Sequence, residues 1–204
     1  MGSELHFQAI PENCRLLARA RRDPRFGSFL ESLSAFASII NDPSISKADD
    51  PVFSDFVNEA RALVEENPWI EERSLRLGNN WNTIHLLLSE HGRTAGGNGQ
   101  GNWVERAMKG GDEIHADAKT AAGHPIRYLS PPEVAEISNQ ISAILPDEIV
   151  RNWRPEVIEG AEINVPGAIK PGEQVHTLTT DLGKLQAFYS TVHKFGEGVL
   201  TLVL

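Results

Sequence analysis

The chain has 204 residues, 40% hydrophobic and 23% charged, a composition that suits one globular domain over residues 1–204 and excludes a disordered chain. Its net charge of −9 argues against general nucleic-acid binding, which needs Lys and Arg to displace phosphate counterions, and permits attraction to a basic protein partner. No apolar run approaches the ~20 residues a membrane helix needs.

Glu4, His6 and Gln8 interrupt the N-terminus where an export signal would be apolar. Met1-Gly2 opens like a myristoylation signal, but His6 stands where Ser or Thr is required. Cys14 is the single cysteine, so no intramolecular disulfide forms and no thiolate zinc site exists. A reducing cytoplasm is the expected compartment.

Leu5, Phe7 and Ala9 alternate with His6 and Gln8, which is strand periodicity. Pro11 then opens a helix that Asp23-Pro24 breaks. Phe26, Phe29, Leu30, Leu33, Ala37 and Ile40 recur at helical spacing and predict a second helix, stopped by Asn41-Asp42-Pro43. Phe53, Phe56, Val57, Ala60 and Val64 mark a third, ending before Pro68. Residues 77–90, LGNNWNTIHLLLSE, predict a fourth, and residues 92–102 a flexible loop. A short helix over 103–108 ends at Gly110-Gly111, and residues 127–129 (RYL) read as a strand. In the following SPPE, Ser130 is the N-cap, Pro131 the first helical residue and Glu133 the closing member of a capping box. Val134, Ile137, Ile141 and Ile144 line one face of that helix. Residues 146–153 and 155–159 predict short helices, and 164–175 a loop punctuated by Pro and Gly. Leu182, Leu185, Phe188, Tyr189, Val192 and Phe195 give the most regular helix, which Gly196 and Gly198 end. VLTLVL is apolar on both faces and predicts a buried terminal strand. Helices outnumber short, widely separated strands. The expected fold is α/β of the α+β type, a small mixed sheet surrounded by helices.

Several motifs in order carry a resemblance: Trp81-x-x-x-His85 before a leucine run, Gly110-Gly111, Arg127-Tyr128-Leu129 before Pro131, Glu133-Val134, then Phe188-Tyr189, Gly196 and Gly198. Together they resemble the YfbM-like family of bacterial proteins, a domain of unknown function. The resemblance covers roughly the C-terminal 60% of the chain, and residues 20–75 match only in helical character. The glycine-rich loop at 96–101 departs from the family. What the resemblance implies is a compact domain of helices around a small sheet. It implies no activity and transfers no site residue.

Trp81, Ile84, His85 and Leu88 share one helix face that is otherwise apolar. His85 therefore reads as a core histidine beside Trp81, with the floor of a pocket as the alternative. A buried imidazole without partners costs about 1–3 kcal/mol. In GGDEIHADAK, residues 110–119, Asp112, Glu113, His115 and Asp117 carry metal-ligand chemistry but lack a ligand pattern, so a solvated turn is preferred. His91 and His124 read as surface residues, and Phe188 and Tyr189 as core. The loop GGNGQGN lacks dinucleotide or phosphate-loop spacing, Cys14 reads as buried and inert, and no G-x-S-x-G nucleophile elbow is present.

Two functions follow. The first is a non-enzymatic cytoplasmic binding or interaction module for a basic partner, regulatory or toxin-neutralising in kind. The second is a small hydrolase with His85 as general base and His115, Asp117 or Glu113 nearby. Trp81 and Tyr128 are the candidate binding residues. No cofactor, metal, nucleic acid or membrane is expected, and the oligomeric state stays open.

Overall fold

The structure, a computed structural model, describes residues 4–35, 50–78, 81–94, 101–145 and 171–204. Strand β1 (Leu5–Ile10) turns Leu5, Phe7 and Ala9 to one face of the sheet and His6, Gln8 and Ile10 to the other. Every residue of β1 is buried, because helices cover both faces. The alternation of polar and apolar residues therefore marks a strand but not a wet side. With β2 (Ser74–Leu77), β3 (Asp112–Glu113), β4 (Arg127–Leu129) and β5 (Gly198–Val203), it forms a five-stranded sheet in the order β2-β1-β5-β4-β3. The expected small sheet surrounded by helices is present, and its ladders are all antiparallel rather than mixed.

One helical layer holds α1 (Arg15–Ala20), α2 (Pro24–Ser28) and α3 (Pro51–Glu66). Their apolar residues pack with Ile10, Leu200 and Leu202, and Phe26 meets Phe56 edge-on at 5.5 Å. The other layer holds α4 (Trp81–Thr94), α5 (Gly101–Lys109), α6 (Pro131–Ser142) and α7 (Pro171–Phe195). These pack with Phe7, Leu129 and Val199. Tyr189, fully buried, donates its hydroxyl to the Ala107 carbonyl at 2.6 Å, as a buried phenol must find an acceptor. Phe188 and Tyr189 are thus core residues.

Several boundaries differ from those predicted. Pro11 lies in a turn, and α1 starts at Arg15 with Cys14 as N-cap, its sulfur accepting the Leu17 N–H at 3.4 Å. The predicted helix over Phe26–Ile40 is instead α2 followed by a 3₁₀ helix, Phe29–Ala35. The tighter turn puts Leu30 and Leu33 one above the other, both buried; Ala37 and Ile40 lie outside the described residues. Residues 77–90 are not one helix: β2 ends at Leu77 and α4 begins at Trp81. Positions 92–94 and 101–102 of the predicted loop are helical, as are 171–175. The short helices predicted at 146–159 lie outside the described residues. Phe195 ends α7 exposed, with the Arg73 guanidinium over its ring at 4.5 Å.

The capping box forms as predicted, the Ser130 N–H donating to Glu133 at 2.6 Å. Gly110 closes α5 at φ +86°, where L side chains are strained, and a Cβ there would crowd Arg127 and Thr201. Among the described residues no helix is long and apolar enough to cross a membrane.

Strand β5 sits in the middle of the sheet and pairs on both sides. Val199, Leu200 and Leu202 are fully buried, each contributing about 1.5–3 kcal/mol, against a net stability of about 5–15 kcal/mol for a typical domain. Deleting residues 199–204 is expected to abolish soluble, cooperative folding. A sharp unfolding transition by circular dichroism in the truncated chain would contradict that placement.

Candidate functional site

Helix α4 places the first candidate. Trp81, Ile84 and Leu88 face the core, but His85 sits at the border of that face with its side chain 22% exposed. Its Nε2 lies 2.9 Å from Glu105 on α5, and the other Glu105 oxygen takes the Lys109 ammonium at 2.8 Å. Burial pulls the His85 pKa down, against the upward pull of Glu105 and together with Lys109. A neutral imidazole oriented by a carboxylate can accept a proton.

The other sequence candidates are not joined to it. His115 and Asp117 form a turn after β3, where the Asp117 N–H donates to His115 Nδ1 at 3.1 Å. Glu113 lies 3.5 Å from Lys119 and 3.4 Å from Arg127. Among the described residues the side chain of His85 meets Glu105, and no hydrogen bond or ion pair joins it to these groups. No cluster of three or more His, Cys, Asp or Glu there could hold a metal. Trp81 is buried beside Ile84 and Leu88, Cys14 is buried with its thiol pKa raised chiefly by burial, and His124 is exposed.

Tyr128, the other candidate binding residue, is 6% exposed and lines a cleft of about 310 Å³. The end of α1 contributes Arg21, β3 and the next residue contribute Asp112, Glu113 and Ile114, and the start of α6 contributes Ser130 and Glu133. The Tyr128 ring reaches across to Gly198, where a Cβ would overlap its hydroxyl. That hydroxyl has no hydrogen-bond partner among the described residues, and burial pushes the phenol pKa up.

Two further residues stand out that the sequence did not single out. His6, 2% exposed, faces the α1–α3 layer, and neither ring nitrogen has a partner among the described residues. Burial, aided by Arg76, lowers its pKa to about 4. The second is Trp69. Helix α3 stops at Asn67, whose amide donates back to the Leu63 carbonyl at 3.1 Å. A 3₁₀ turn, Ile70–Glu72, follows. Its Ile70 is fully buried, and Gln8 of β1 donates to the Ile70 carbonyl at 2.8 Å. Between these anchors Trp69 takes φ +79°, the one non-glycine residue with positive φ among those described, and stays 68% exposed. Glu65, Glu66, Glu71 and Glu72 flank it, and none forms an ion pair among the described residues. Arg73, the cation nearest in sequence, is committed to Glu197 by a fork of 2.7 and 2.6 Å.

A family model described as a domain of unknown function (DUF1877) matches residues 37–202. Among solved structures, the crystal structure of YfbM from Escherichia coli, a protein of unknown function, is similar at a TM-score of 0.54 and 14% sequence identity. The likeness covers 98% of this chain and 99% of that one, and at this identity it concerns the fold alone. No curated protein matches the sequence.

The His6 environment sets a pH dependence. Unfolded His6 takes up a proton near its ordinary 6.5, whereas the folded group resists until about 4. Its contribution is intact above pH 6.5 and is lost as pH falls toward 4, by about 3 kcal/mol in all. His6→Leu is expected to flatten this slope and to raise stability at pH 7 by about 1–3 kcal/mol, since two unpaired buried nitrogens go. Urea midpoints at pH 7 and pH 5 measure both effects; parallel shifts in the two proteins would refute the assignment. For His85→Ala, a border position bonded to an exposed carboxylate predicts a loss of only about 1 kcal/mol. A loss above about 3 kcal/mol in the same assay would make His85 a core residue after all.

Proposed function

This chain belongs to the DUF1877 family of unknown function, and from the geometry of the Trp69 turn we propose that it is a non-enzymatic interaction module for a basic protein partner. The observation that carries this reading is an indole 68% exposed on left-handed backbone. Such backbone costs a bulky residue about 1–2 kcal/mol, and exposing the ring forgoes its burial as well. A contact made with a partner recovers what the free molecule forgoes, and tryptophans at the centre of protein interfaces carry much of the binding energy.

The neighbours of Trp69 select the partner's charge. Residues 65–72, EENPWIEE, contain no Lys or Arg. A Lys or Arg laid on the indole face would gain a cation–π contact and a carboxylate within one short segment. Burial of Ile70 and the Gln8 hydrogen bond hold the turn in place, so docking loses little ordering entropy. The net charge of −9 would speed encounter with a basic partner at low ionic strength. A regulatory or toxin-neutralising role in the cytoplasm fits such a module. The His85–Glu105 pair favours a second reading, a small hydrolase with His85 as general base.

Trp69→Asn removes the indole and suits left-handed backbone. The variant is expected to keep its stability within about 1 kcal/mol and to lose a basic partner that the wild-type protein retains from the source lysate at low salt. Retention of the same partner by Trp69→Asn would place docking elsewhere. A partner that is acidic, or indifferent to salt, would overturn the charge argument. Hydrolysis that disappears in His85→Gln while Trp69→Asn retains it would favour the second reading.

A further inference from the structure

The cleft beside Tyr128 is independent of the Trp69 turn, and its charges are unevenly committed. Its volume of about 310 Å³ lies at the small end of ligand cavities. Glu133 accepts from Ser130 and pairs with Arg106, while Glu113 faces Lys119 and Arg127. Arg21 and Asp112 line the same space, and neither forms an ion pair among the described residues. The Arg21 guanidinium stands 5.1 Å from the centre of the Tyr128 ring, which fixes the cation against an aromatic wall. An uncommitted guanidinium and an uncommitted carboxylate in one small cleft discriminate by charge. A simple anion at Arg21 would meet the field of Asp112 and Glu113, and a simple cation at Asp112 would meet Arg21. A molecule carrying both charges a few bonds apart satisfies both.

We propose that this cleft binds a small zwitterion of α-amino-acid size, with its carboxylate on Arg21, its ammonium on Asp112 and its side chain against the Tyr128 ring. The guanidinium fork suits a carboxylate in two parallel hydrogen bonds, whereas a compact carboxylate such as Asp112 suits an ammonium. Tyr128 acts here as a wall that sets how large a side chain the cleft admits.

The test uses the full chain and titrates free α-amino acids singly, by calorimetry, each beside its N-acetyl and its carboxamide derivative. At least one free amino acid is expected to bind saturably, and both of its blocked forms to bind at least about tenfold more weakly, the loss of one charge-assisted contact. Arg21→Gln and Asp112→Asn, both at exposed positions, are each expected to weaken it by a similar factor at an unchanged melting temperature. Trp69→Asn is expected to bind as the wild type does, which separates this site from partner docking. Absence of saturable binding for every free amino acid overturns the proposal. So does equal binding of the blocked forms, or full affinity in either cleft variant.

Discussion

The fork between Arg73 and Glu197 joins the two ends of the architecture. Arg73 precedes β2, and Glu197 stands between α7 and β5, so one pair of charges ties the edge of the sheet to its middle strand. Both side chains are nearly buried. In that setting the pair adds less than its Coulomb attraction, because two ions have left water, yet either partner alone would be an uncompensated buried charge worth about 3–5 kcal/mol of instability. The backbone around Arg73 is held as well: its carbonyl accepts the Ala9 N–H at 2.9 Å, and Gln8 donates to the Ile70 carbonyl. The 67–73 turn that carries the Trp69 indole is therefore held at its far end by β1 and Glu197, as it is held at its near end by Asn67 on Leu63 of α3.

A sheet covered on both faces has no wet side on which to place polar chemistry. That constraint explains where the notable side chains lie. His6 and Tyr128 are on strands and buried, and their polar atoms have no partner among the described residues. His85, Arg21 and Asp112 sit on helices or at the sheet edge, where solvent reaches them. Interaction surface is therefore available at helix ends, turns and the β3–β4 edge, and both the Trp69 turn and the Tyr128 cleft are found there.

Local pattern carried much of the fold. The α3 stripe, the capping box at Ser130 and Glu133 and the two-sided apolar run of β5 encode their structure within a few residues and appear as read, and the α7 stripe does so from Leu182 to Val192, with Phe195 exposed and the helix starting earlier, at Pro171. Strands β2 and β3 were not legible: SLRL carries none of the aromatic or β-branched residues that marked the even shorter RYL of β4 next to SPPE, and β3 is two acidic residues long. Each exists because a longer neighbour offers an edge. The α4 face was legible for Trp81, Ile84 and Leu88, but whether His85 meets a carboxylate depends on how α5 crosses it. Trp69 carried one overlooked signal, an aromatic directly after Asn-Pro among four glutamates. Its turn is anchored by the distant Gln8, and Arg21 at the end of α1 shares a cleft with Asp112 on β3 through the packing of α1, so neither is written locally.

The pairing of β1 with β5 has a kinetic consequence. His6 stands opposite Leu202, and Glu4 exchanges two backbone hydrogen bonds with Leu204, at 3.0 and 2.8 Å. The central ladder thus closes a loop spanning nearly the whole described chain. Loop-closure entropy grows only slowly with length, but it must be lost before any of that ladder is gained. Helices such as α3 and α7 close their backbone hydrogen bonds within four residues, although the packing that stabilises them is long-range, as Tyr189 on Ala107 shows. The sheet they cover cannot zip from one end, because its middle strand arrives from the far end of the sequence. Until then β1 presents Phe7 and a bare edge of backbone donors and acceptors to any other chain, so the slowest contact in this fold is also the one that shields it from aggregation.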